Sequence, residues 1–76
     1  MINEKQFKRV RDCGGQATLI YLAISMLGGG ELDNKTISKE SKVGPRYISR
    51  ALMALEESGV VKIKRIAGDV NFFRLV

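Results

Sequence analysis

Residues 36–61 read TISKESKVGPRYISRALMALEESGVV, and the punctuation inside that stretch decides the fold. Asn34 is a good N-cap just ahead of it, so a short helix is expected to start near Asn34 and run through residues 36–41. Val43, Gly44 and Pro45 interrupt that helix. Proline lacks an N–H and holds φ near the helical value, which suits the first turn of a helix. Pro45 is therefore expected to open a longer helix, which Gly59 ends. With Ile48 set at zero on a helical wheel, Leu52 and Leu55 fall within about 40° of it and form the buried stripe. Arg46 falls at roughly 160° and Arg50 at roughly 200°, so both sit on the opposite, exposed side with Tyr47 and Ser49 flanking them. Two arginines one turn apart near a helix amino terminus suit the major groove, where a guanidinium donates two hydrogen bonds to guanine O6 and N7. A solvated helix face is the plainer reading of the pair. Their position directly after a turn between two helices favours DNA contact.

Past Gly59 the apolar period falls from about 3.6 to 2. Residues 60–66 and 70–76 are expected as two strands around a three-residue loop of Ala67, Gly68 and Asp69. Opposing Ile63 with Phe73 and Val61 with Leu75 puts those four side chains on one face, over a core. The other face then shows Lys62, Lys64, Phe72 and Arg74, a pattern open to two readings: a solvated sheet face or a DNA surface. Towards the amino terminus, residues 16–27 (QATLIYLAISML) are apolar all round, the mark of a helix surrounded by protein, with Tyr21 and Met26 as core filling. That segment falls short of the roughly 20 residues needed to span a bilayer, so no membrane contact is expected. Gly28, Gly29 and Gly30 stop the helix and open a flexible link; with no Lys-Ser/Thr behind them they make no phosphate loop. Asn3 and Gln6 have the spacing of a capping box, and Phe7, Val10 and Cys13 recur at helical spacing. A first helix over about residues 4–12 follows, with a short strand through residues 7–11 as the alternative. The fold class expected is mainly α with a C-terminal β-hairpin, about four helices and a two-stranded wing.

Composition bounds the chemistry. Seventy-six residues make one domain, and the net charge is +5. Residues 1–41 carry six basic and five acidic groups, whereas residues 42–76 set Lys42, Arg46, Arg50, Lys62, Lys64, Arg65 and Arg74 against Glu56, Glu57 and Asp69. Such asymmetry favours a polyanionic partner for the second half. The chain has no histidine and its carboxylates are scattered. Neither a metal site, a cofactor, a small-molecule ligand nor catalysis is expected on that basis. Cys13 is the only cysteine, which excludes an internal disulfide and, with no signal peptide in view, fits a reducing cytoplasm. It reads as a small buried or half-buried apolar residue rather than a redox sensor. Met1 and the end at Val76 suit a complete small protein, with one domain of a longer protein as the alternative.

The stretch from residue 34 to the end resembles winged helix-turn-helix regulators. Leu52, Leu55, Glu56, Gly59 and Val60 stand as in that family's Leu-x-x-Leu-Glu-x-x-Gly-hydrophobic run. Gly68 followed by Asn71, Phe73 and Leu75 is similar to the glycine and Asn-x-aromatic-x-Leu that end the wing in many phage and plasmid replication proteins. Residues 16–27 fit the family's first core helix more loosely. The resemblance implies one winged-helix domain over residues 1–76, with a helix-turn-helix core at about 34–59 and a wing at about 60–76. It implies a sequence-specific partner, double-stranded DNA, in a transcriptional, replication or partition role that the fold does not choose among. Arg46, Tyr47, Ser49 and Arg50 would read bases next to Pro45; Lys35, Thr36 and Lys42 would hold phosphates; Lys62, Lys64 and Arg65 would serve the wing on backbone or minor groove. Ser41 and Lys42 depart from the family's bulky apolar residue and glycine, so Lys42 has to take a left-handed conformation. The alternative function is a winged-helix protein-interaction module for an acidic partner; RNA comes third, since only Tyr47 and Phe72 could stack on bases. A homodimer is expected because one module covers only about 600–1,000 Å² on DNA. Ile2, Phe7 and Val10 are apolar groups left over for the contact, unless they pack on residues 16–27 and complete a monomer's core.

Overall fold

Glycine and proline cut the chain into its elements. Over residues 4–76, the span described by this computed structural model, these are α1 (Glu4–Asp12), α2 (Gly15–Met26), β1 (Gly30–Asp33), α3 (Asn34–Ser41), α4 (Pro45–Glu57), β2 (Val61–Ala67) and β3 (Val70–Leu75). The helices enclose one apolar core, and an antiparallel sheet in the order β1-β3-β2 closes one side of it. α1 forms as a helix, so the alternative strand is not realised. Asn3, expected as its cap, and Ile2 lie outside the described residues.

α4 turns Ile48, Ala51, Leu52 and Leu55 inward, where α2 and α3 pack against it. α2 contributes Ala17, Ile20, Tyr21, Ala23 and Ile24 to the core, and burial pushes the pKa of the Tyr21 hydroxyl up. α2 is not surrounded by protein, contrary to expectation. Leu19, Leu22 and Met26 are 49%, 41% and 77% exposed and lie within about 60° of one another around the helix. A helix that is apolar on every side carries no periodic mark of which side will be covered, and so small a domain covers only one. Met26 is therefore a surface residue rather than core filling. Val10, expected to lie outside the core, is fully buried and packs with α2. Of the apolar groups reserved for a dimer contact, only Phe7 is described and exposed.

The hairpin has the expected register, with Val61 opposite Leu75 and Ile63 opposite Phe73. Phe73 is 1% exposed and Phe72 is 43% exposed, so strand alternation sends one ring into the core and the other out. The loop is shorter than expected. Ala67 pairs with Val70, leaving Gly68 and Asp69 as the turn, and an irregularity between Arg65 and Ala67 absorbs the extra residue.

The expected two-stranded wing is part of a three-stranded sheet. β1 pairs with β3 through Gly30 opposite Phe73, Glu31 opposite Phe72 and Leu32 opposite Asn71. The glycine run, expected to be a flexible link, is what admits β1. The Gly29 N–H closes α2 on the Ile24 carbonyl at 3.0 Å with φ at 71°. A Cβ on Gly29 would stand 3.0 Å from the Phe73 carbonyl oxygen and at a positive φ, so helix end and strand meet more tightly than almost any side chain would leave undisturbed. The strand itself is too short, with Leu32 as its one large apolar residue, to show a period in the sequence.

The two neighbouring phenylalanines separate packing from surface. Phe73→Ala is expected to destabilise the fold by about 3–5 kcal/mol, whereas Phe72→Ala changes it by less than about 0.5 kcal/mol. Urea denaturation checks both, and the reverse order would mean that the strand is turned over.

Candidate nucleic-acid interface

α3 is anchored by its cap. The Asp33 carboxylate accepts the Thr36 N–H at 2.7 Å, and Asn34, expected to be the N-cap, is instead the first helical residue. The shift of one residue follows from β1, which delivers Asp33 in the extended conformation that a cap requires. The Thr36 hydroxyl, then its backbone N–H, hold the Asp33 carboxyl below its ordinary pKa, with the Lys35 charge assisting.

The turn from α3 to α4 is made without the usual glycine. Lys42 adopts φ 61° and ψ 23°, the left-handed conformation expected of it, and donates its N–H to the Ser38 carbonyl at 2.8 Å. That conformation costs a non-glycine residue on the order of 1 kcal/mol. Two serines brace it: the Ser38 hydroxyl donates to the Val43 carbonyl at 2.6 Å, and the Ser41 hydroxyl accepts the Val43 N–H at 3.2 Å. Ser41 is buried, and its short hydroxyl ties the turn together. Val43 then drops into the core and Pro45 starts α4.

With its inner stripe committed, α4 presents Arg46, Tyr47, Ser49, Arg50 and Met53 to solvent. The helix stands as a ridge between two grooves. On one side Tyr47, Arg50, Ala51 and Ala54 face residues 13–17 at the α1–α2 junction. On the other, Ser49, Met53 and Glu56 face Ile63, Arg65 and Asp69 of the hairpin, with Asn34 and Asn71 lining the same groove. Arg46 and Arg50 occupy the crest, and neither pairs with a carboxylate among the described residues. The amino end of α2 opens on the first groove. Gly14 gives it no side-chain cap, and the Thr18 N–H is the one that reaches the Gly14 carbonyl, at 2.9 Å. The N–H groups of Gly15, Gln16 and Ala17, the positive end of the helix dipole, therefore lie beside Arg50.

The expected site residues fall into three places. Pro45, Arg46, Tyr47, Ser49 and Arg50 lie on α4, with Arg65 across the groove from it and Lys35 in a shallow groove shared with Pro45. Thr36 and Lys42 are exposed at the two ends of α3. Lys62 and Lys64 do not join them: they alternate with the core-facing Val61 and Ile63, so they project from the outer face of the sheet. The α2 amino end was not foreseen, although a glycine pair ahead of an uncharged helix marks it in the sequence. Asn71 was not foreseen either. It is buried at the groove floor, where its Oδ1 and that of Asn34 have no hydrogen-bond partner among the described residues.

Cys13 is half-buried, as expected, with its thiol directed at the carbonyls of Arg9 and Ala54. Among the described residues no helix is long and apolar enough to cross a membrane, and no cluster of His, Cys, Asp and Glu side chains could hold a metal. No protein-family model matches the chain, and no curated protein is detectably similar to it.

The Asp33 cap has a pH signature. A carboxyl whose folded pKa lies below its unfolded value adds stability that is fully present above the unfolded value, here 3.8, and is lost as pH falls through the folded one. Asp33→Asn keeps the cap but cannot titrate. Urea denaturation is expected to show the unsubstituted protein losing stability relative to Asp33→Asn below about pH 4, with a constant difference at neutral pH. Parallel profiles would mean that the cap does not form.

Proposed function

We propose that this chain is a winged-helix protein that binds double-stranded DNA sequence-specifically, with α4 as the recognition helix. The observation that carries the reading is the rotation of α4 about its own axis. Burial of Ile48, Leu52 and Leu55 leaves Arg46 and Arg50 on a crest between two grooves. An α-helix about 10–12 Å across fills a major groove about 12 Å wide, and two unpaired arginines one turn apart then reach base edges. Arg46 and Arg50 each donate two hydrogen bonds to a guanine, while Tyr47 and Ser49 contact flanking base edges or sugars. Phosphates on either side meet the free N–H groups at the start of α2 and the cations Lys35 and Lys42, while Thr36, whose hydroxyl and N–H are engaged by Asp33, holds the start of α3 in place. Arg65, held across the groove by the hairpin, takes the backbone or the adjacent minor groove. Such an activity serves a regulator of transcription, a replication factor or a partition factor equally.

A second copy belongs to the same proposal. α2 has no charged residue, and Leu19, Leu22 and Met26 line its exposed side. Two copies of a chain with net charge +5 repel over most of their surface, and this helix lets them meet without opposing like charges. Pairing doubles the surface on DNA and gives two recognition helices for a two-fold symmetric site.

Binding to random duplex is expected to weaken steeply as salt rises, with a log–log slope set by the number of phosphates neutralised. On a selected site at fixed salt, Arg46→Ala and Arg50→Ala each cost about 1–3 kcal/mol and relax base preference, with folding nearly unchanged. Full-strength binding by both variants would sink the docking. Light scattering is expected to give twice the 8.4 kDa chain mass, and Met26→Glu to return it to one chain. A single-chain mass for the unsubstituted protein, with and without duplex, would exclude the pairing.

A further inference from the structure

The outer face of the sheet carries a charge pattern that the fold does not need. β3 is the central strand, so Phe72 and Arg74 stand in the middle of that face. Lys64 lies directly across from Phe72 on one side and Glu31 on the other. Arg74 lies directly across from Lys62. Like charges opposed across an antiparallel pair are destabilising, and here no carboxylate sits opposite either cation. On the other side β1 begins at Gly30, opposite Phe73, so no β1 residue is paired with Arg74, and Glu31 is paired with Phe72. Phe72 is also left 43% exposed, although the ladder requires nothing aromatic on a solvated face. Local rules broken together on one face point to a partner that relieves them.

We infer that this face binds single-stranded nucleic acid, stacking one base on Phe72 and holding phosphates on Lys62, Lys64 and Arg74. Same-face residues two apart on a strand are separated by roughly 7 Å, comparable with the repeat of phosphates along an extended single strand. A flat ring between cations therefore matches an alternation of base and phosphate. A duplex has no unpaired base face to offer along its sides, and an acidic peptide offers charge without a ring to stack. One aromatic holds one base, so binding is sequence-tolerant and salt-dependent. The face is the reverse of the sheet surface that meets α4, so the inference stands apart from the duplex reading, and a strand here leaves the α4 crest free.

The chain has no tryptophan, so Phe72→Trp introduces a single reporter in place of the ring. A labelled short oligothymidylate is titrated by anisotropy, in parallel with a duplex, against Phe72→Trp, Phe72→Leu, Arg46→Ala and Arg50→Ala. Phe72→Leu is expected to weaken the oligothymidylate about 5- to 150-fold, the value of one base–aromatic stack, and to leave duplex binding unchanged. Phe72→Trp keeps the affinity, and its fluorescence is quenched as the base stacks. The arginine variants lose duplex and keep the single strand, so failure of the α4 docking and failure of this site are separately visible. The inference is overturned if Phe72→Leu binds oligothymidylate as well as the unsubstituted chain does. It is equally overturned if the arginine variants lose both ligands together, or if polyglutamate displaces the oligothymidylate at equal charge concentration, which would assign the face to an acidic protein.

Discussion

Burial of one stripe on one helix governs the rest of this molecule. Ile48, Leu52 and Leu55 lie on the inward side of α4, against α2 and α3. A helix has one free rotation about its axis, and an apolar stripe of this width removes it. A turn of one residue, about 100°, would swing one of the crest arginines toward the core and expose Ile48. In a chain this small, which hides only about 60–65% of its unfolded surface, no other part of the core can compensate for losing that contact. The direction of Arg46 and Arg50 is thus a consequence of packing on the far side of the same helix.

The sheet imposes the second constraint, and it sorts the basic residues. Gly29 lets the end of α2 approach the Phe73 carbonyl, β1 joins the edge of β3, and Phe73 is buried beneath the strands. Once Phe73 faces the core, alternation assigns every other side chain of the hairpin. Arg65 is directed to the groove along α4, while Lys62, Lys64, Phe72 and Arg74 are directed away from it. One cluster of positive charge in the sequence becomes two surfaces in space. A core aromatic decides which basic side chains lie along α4 and which face away from it.

Several local preferences are broken, most of them at surfaces and one, at Asn71, on a buried groove floor. Lys42 is left-handed where glycine would be relaxed, yet two serine hydroxyls and a helix-capping N–H hold it beside the start of α4. Lys62 faces Arg74, Asn34 and Asn71 keep unpartnered oxygens at the groove beside α4, and Leu19, Leu22 and Met26 remain in water. In a marginally stable domain such costs are retained where something other than stability selects the residue. Their positions coincide with the three contacts proposed here: the α4 ridge, the outer sheet face and the uncharged side of α2.

The elements whose signals are local could be read from the sequence. Pro45 and Gly59 bracket α4 because ring closure and positive φ act within one residue, and the stripe at positions 48, 52 and 55 follows from helical geometry alone. The register of Ile63 with Phe73 is equally legible, since a slip by one would place four apolar side chains in water. The arginine crest follows from the same wheel. What the sequence left open depends on contacts between distant segments. Residues 30–33 become a strand only because β3 offers an unpaired edge, and that strand in turn presents Asp33, not Asn34, as the cap of α3. A uniformly apolar α2 carries no mark of its covered side, so Leu19 and Met26 stay exposed where α3, α4 and α1 do not reach. Local chemistry determined where α4 and the hairpin begin and end and which side of each is apolar; only tertiary packing decided that residues 30–33 form a strand, where α3 is capped and which side of α2 is covered, because those depend on what lies across the core and not on what lies next along the chain.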